Sequence, residues 1–136
     1  MPASSVFMDY KLTTTQRSNY LHAIIEGANT KENVIRYFEK IRSECKSRNC
    51  YKVLIEEHLE GPRIGMMDIY AMIERGSVES IGIFDAIAYV DVNAENITME
   101  FAETVARNRG IPISVFSTVS DAEKWLLGEI SRSAGQ

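Results

Sequence analysis

A chain of 136 residues, 45% apolar and 25% charged, buries about two-thirds of the surface its unfolded form exposes, so its core needs neither disulfide nor metal. A net charge of -4 and a pI near 5.2 give no electrostatic attraction for a phosphate backbone, so nucleic acid is not an expected partner. No signal-peptide pattern opens the chain, and the most apolar window, residues 81–90, is about half a membrane span and carries Asp85, so a cytoplasmic protein without a transmembrane segment is expected.

No repeat, linker or low-complexity tract divides the sequence, so a single domain over residues 1–136 is expected, with residues 131–136 as a frayed polar tail. Residues 6–10 and 20–26 read as two opening strands, joined by a polar hairpin-like loop over residues 13–19. Asn29 with Glu32 three residues on forms a capping-box pattern. Val34, Phe38, Ile41 and Cys45 then recur at helical spacing, and Asn49 is suited to end that helix in the left-handed conformation.

The run 51–55 reads as a third strand, with the turn signal Gly61-Pro62 soon after it. Met66, Ile69, Tyr70 and Ile73 mark a second helix, with Gly76 as its expected stop. Residues 83–90 are almost continuously apolar, as in a strand covered on both faces. Asn93 is the expected cap of a third helix with Ile97, Phe101, Ala102 and Val105 turned inward, ended by Gly110 and Pro112. Residues 113–116 form the last strand, and Thr118 or Ser120 caps a last helix carrying Val119, Ala122, Trp125 and Leu126. The order ββαβαβαβα implies an α/β fold: a mixed, mostly parallel five-stranded sheet with about four helices.

Catalytic signatures are absent from the linear sequence. It holds no G-x-S-x-G elbow, no H-E-x-x-H, no phosphate-cradling loop and no G-x-G-x-x-G. No catalytic residue, cofactor or metal is therefore assigned. Cys45 and Cys50 do not match a C-x-x-C redox pair and read as two reduced thiols. His22 reads as a strand histidine bonded to a backbone carbonyl or to solvent, with no partner legible for a pH-sensing role.

Two groups of candidate site residues remain. Parallel α/β sheets bind ligands beyond the carboxyl ends of their strands, which here carry Glu56, Glu57 and His58 after the third strand, Asp91 and Asn93 after the fourth, and Ser117 and Thr118 after the fifth. The bland reading makes Glu56 to His58 solvated loop and Asp91 and Asn93 helix caps; an enzyme site at these strand ends is the third reading, behind an interaction module and a carrier of a small ligand. The other group is apolar: Met66, Met67, Tyr70 and Ile73 on the second helix, with Phe84. It reads either as a buried or homodimer-forming helix face, or as the pliable wall of a site for a small lipophilic ligand.

Three segments carry a family likeness: Tyr51-Lys52-Val53-Leu54-Ile55-Glu56-Glu57 through Leu59-Glu60-Gly61-Pro62 to Met67-Asp68-Ile69-Tyr70; Met99 through Gly110, containing Phe101-Ala102-Glu103-Thr104-Val105-Ala106; and Val115-Phe116-Ser117 followed by Ala122-Glu123-Lys124-Trp125-Leu126. In these the chain resembles the SpoIIAA-like proteins, relatives of the STAS domains of anti-sigma-factor antagonists and transporter tails. The resemblance implies a STAS-like sheet with helices mainly to one side, and a non-enzymatic regulatory or protein-interaction role, with a homodimer expected. STAS antagonists are switched by phosphorylation of a serine at a helix N-terminus after the third strand, yet no serine or threonine occurs between Tyr51 and Gly76. Gly61, Pro62 and Arg63 stand where the acceptor is sought, so the phosphoswitch is not carried over. Similarity in fold to lipid-binding domains keeps the small lipophilic ligand as the alternative.

Overall fold

In the computed structural model, which describes residues 10–61, 65–80, 83–91 and 96–128, β1 (Tyr10–Gln16) and β2 (Leu21–Ala28) form an antiparallel hairpin. There follow α1 (Lys31–Arg48), β3 (Lys52–Glu60), α2 (Met66–Ser80), β4 (Ala86–Asp91), α3 (Asn96–Asn108), β5 (Ile113–Phe116) and α4 (Val119–Leu126). The five strands lie in the order β1-β2-β3-β4-β5, parallel from β2 onward. The expected fold class, element order and mixed sheet are therefore present.

The strand order fixes where the helices go. Each step from β2 to β5 moves one place in the same direction, and crossovers of one hand then put every connecting helix on the same face. On that face Ala23, Ile25, Val53, Ile55, Leu59 and Ile87 pack with Tyr37, Ile41 and Cys45 of α1 and Ala106 of α3. Among the described residues the opposite face receives only α4, whose Ala122 and Leu126 close over Leu54, Ala88, Val90 and Phe116. Helix α4 packs on β3, β4 and β5. Over β1 and β2 no described helix covers the second face, and Lys11, Thr13, Thr15 and Glu26 are exposed there.

Several boundaries differ from the sequence expectations. Strand β1 occupies Tyr10–Gln16, so most of the expected loop 13–19 is strand, and the turn is confined to residues 17–20, closed by Arg17 N–H donating to the Tyr20 carbonyl at 2.8 Å. Threonine is a good strand former, and an edge strand with one solvated face looks polar in sequence. The α1 cap is Thr30, not Asn29: the Thr30 hydroxyl accepts from Asn33 N–H at 3.1 Å, and Asn29 N–H instead bonds the Glu60 carbonyl. The fully buried α1 stripe is Asn33, Tyr37, Ile41 and Cys45, with Val34 and Phe38 half-buried beside it. Asn49 does end the helix with φ 52°.

Strand β3 runs five residues beyond Ile55, and α2 continues past Gly76 to Ser80. Ile83, Phe84 and Asp85 precede β4 rather than belonging to it. Thr118 caps α4, accepting from Asp121 N–H at 3.1 Å, and Gly110 follows α3 with φ +84°. The expected strand residues 6–9, the turn residues Pro62 and Arg63, the candidate Asn93 and the tail 131–136 lie outside the described residues.

Candidate functional site

The extension of β3 carries the functional chemistry. Successive strand side chains point to opposite faces, so the neighbouring carboxylates Glu56 and Glu57 part company. Glu57 faces the helical layer with Ile55 and Leu59; Glu56 and His58 share the open-side face with Leu54. Each carboxylate then meets a different set of partners.

Glu57 is 3% exposed. It lies opposite Asp91 in the β3–β4 register, and the Tyr37 hydroxyl donates to its Oε2. Tyr89 bonds into the same network. Burial, then the hydrogen bond to Asp91 and its negative charge, push the Glu57 carboxyl up to about 8, against the lowering effect of the two tyrosine hydroxyls. Near neutral pH Glu57 therefore holds a proton and donates it toward Asp91. Tyr37 and Tyr89 are driven well above the ordinary tyrosine value by burial and by Glu57, so both remain hydroxyl donors.

Glu56 has the opposite character. His22 Nε2 lies 2.9 Å from its Oε1, and His58 Nε2 lies 2.6 Å from its Oε2. Burial raises the Glu56 carboxyl, but the hydrogen bonds from His58 and His22 outweigh it and hold Glu56 below the usual glutamate range. This carboxylate is ionised, with each oxygen held by one imidazole. His22 stands beside Tyr20, ring centroids 6.5 Å apart, and Tyr20 donates to Glu123 Oε2 of α4 at 2.6 Å. The trio thus borders the edge of α4 on the uncovered part of the sheet.

Glu57, His58 and Asp91 were expected at the carboxyl ends of the strands, and all three lie there. They are strand residues, however, not solvated loop or helix cap, and the pleat separates His58 from the other two. His22 bonds a carboxylate rather than a backbone carbonyl or solvent. Glu56, expected with Glu57 and His58 at the end of the third strand, is half-buried between two histidines, and the site residue that sequence reasoning did not join to it is His22. Its signal was weak: a His-x-Ile in β2 paired with Glu-x-His in β3 reveals the trio only once the register is known.

The apolar candidates are dispersed. Met67 is 81% exposed and so forms no wall of an enclosed space. Ile73 and Phe84 pack into the main core. Arg109 donates to the Tyr70 hydroxyl at 2.5 Å and to Glu74 at 2.9 Å, and its guanidinium lies 5.0 Å from the Tyr70 ring centre, a clasp between α2 and α3. The Met66 side chain lies outside the described residues.

As chemistry, the open-face trio is a pre-ordered carboxylate with imidazoles on either side. Among the described residues neither histidine takes a hydroxyl or thiol as hydrogen-bond partner, as nucleophile activation requires. No three His, Cys, Asp or Glu side chains among them are placed to hold a metal ion. Cys45 and Cys50 are free thiols, and burial, with the neighbouring Cys50 and Glu44, pushes Cys45 up to about 11, which makes it a poor nucleophile. No described helix is long and apolar enough to cross a membrane. No protein-family model matches the sequence, and no curated protein matches it.

Proposed function

We propose that this domain is a non-enzymatic regulatory module of the STAS-like kind that binds another protein through the uncovered half of its sheet. The observation that carries this reading is the His22–Glu56–His58 trio, built and hydrogen-bonded on a part of the sheet that no described helix covers. Polar side chains already fixed by their neighbours lose little freedom when a partner docks, which favours binding. Around them Lys11, Thr13, Thr15 and Glu26 are exposed and offer further donors and acceptors. With no serine or threonine between Tyr51 and Gly76, recognition on this reading proceeds without the phosphoacceptor of STAS antagonists. The alternative, a carrier of a small lipophilic molecule, finds Ile73 and Phe84 filling core space and Met67 turned to solvent.

The test is affinity capture from the native host with the wild-type chain and with Glu56→Lys, which puts a cation between the two imidazoles. A protein held by the wild type and lost with the variant, while circular dichroism of the two chains coincides, is the expected result. Equal capture by both, or none by either, removes this reading.

A further inference from the structure

Among the described residues strand β1 is an edge strand, and within them its outer edge lacks the usual protection. Natural edge strands are blunted by proline, bulges or several charges. β1 has seven residues, no proline and one charge, Lys11, and its register with β2 runs unbroken from Tyr10↔Gly27 to Gln16↔Leu21.

The closing bond from Arg17 N–H to the Tyr20 carbonyl sets the phase of the hairpin, because bonded and non-bonded pairs alternate in an antiparallel ladder. Lys11, Thr13 and Thr15 therefore direct their backbone groups to β2. Tyr10, Leu12, Thr14 and Gln16 turn theirs outward.

From this the geometry points to a second copy of the same chain as the occupant of that edge, joined β1 to β1 about a two-fold axis through Thr13. In that register Leu12 pairs with Thr14 of the second copy and Tyr10 with Gln16, so every outward-turned residue meets another. A shift of the axis by one residue along the strand leaves Tyr10 or Gln16 without a partner in β1.

Two features of the adjoining surface fit the same partner. A groove of about 410 Å³ runs between β1 and α1, lined by Tyr10, Leu12, Thr14, Lys40, Ser43 and Glu44. Lys40 and Glu44 are one helical turn apart, and a two-fold axis near them places each across from its opposite in the other copy, with Glu44 also held by Arg48 at 2.8 Å. Leu12 and Thr14 are only half-buried in the single chain, on the side of the sheet where the same residues of the second copy arrive.

This inference rests on the reading of the domain as an interaction module, yet the two fail separately: Glu56→Lys, on β3 away from the β1 edge, is expected to lose the captured protein and keep the dimer. Light scattering of the full chain after size exclusion is expected to give twice 15.4 kDa. Thr13→Lys, an exposed change that sets like charges against each other on the axis, is expected to weaken the dimer about tenfold or more with an unchanged circular dichroism spectrum. Thr13→Cys, treated with oxidised glutathione, is expected to cross-link the two copies, because its side chain faces itself. Lys11→Cys, which faces Thr15, is not. A strict monomer at high concentration, a dimer indifferent to Thr13→Lys, or cross-linking equal at both positions overturns the inference. A different protein on the β1 edge would show as a monomer alone that is protected at β1 only in the captured complex.

Discussion

At Glu57 a carboxyl is kept protonated by its surroundings, and this makes stability depend on pH in a defined direction. Its folded value near 8 lies above the ordinary glutamate value of 4.5. The favourable contribution is therefore complete below pH about 4.5, falls as pH rises through the interval, and is gone above about 8. The swing is on the order of a few kcal/mol. Glutamine copies the protonated form, accepting from Tyr37 and donating toward Asp91, and does not titrate. Urea denaturation between pH 5 and 9 is expected to show Glu57→Gln losing less stability than wild type as pH rises; parallel profiles would remove Glu57 as the source. Glu56, one residue away, has its carboxyl lowered, so the two neighbours respond to pH in opposite senses. Sequence shows two adjacent glutamates; only the pleat tells that one is buried with an acid and the other held between bases.

The elements are set by local signals of unequal clarity. Helix caps are among the legible ones, because a side-chain oxygen must meet an orphan N–H within a few residues. Thr118 is placed as its type predicts, while at α1 the choice between Asn29 and Thr30 is settled by the sheet. Asn29 N–H is drawn to the Glu60 carbonyl at 2.7 Å, which leaves Thr30 as the cap. Thr30→Ala is expected to cost about 1 kcal/mol in chemical denaturation. No measurable change would mean that α1 is held by its packed stripe alone. Strand β3 was underestimated because its second half, Glu56-Glu57-His58-Leu59-Glu60, is polar in composition. Pairing with β2 through Glu60 extends it against that composition. Helix α2 similarly passes Gly76, whose propensity penalty of about 1 kcal/mol is small beside tertiary packing.

Across the whole molecule the two faces of the sheet have unequal cover. Three crossover helices enclose one face and one terminal helix covers part of the other, so the larger core lies between α1–α3 and the sheet. Ile55 is fully buried in that larger core. Ile55→Ala is expected to cost about 2–5 kcal/mol, read from the shift of the urea midpoint. An exposed change on the open face away from the β1 edge, such as Glu26→Gln, is expected to leave that midpoint nearly unchanged. A large drop for Glu26→Gln would show that the open face is stabilised by contacts within the chain.

The sequence alone determined the class of fold, the order of the nine described elements and the left-handed stops at Asn49 and Gly110, because periodicity, capping and glycine geometry act over a few residues. It also displayed Glu57, His58 and Asp91 as polar groups near the strand ends. Only the tertiary structure decided which groups meet. His22 and Glu56 are separated by 34 residues and are joined by the β2–β3 register, as Tyr37, Glu57, Tyr89 and Asp91 are joined by packing. Register and face are set by the burial of the whole sheet, a property that no short stretch of sequence contains.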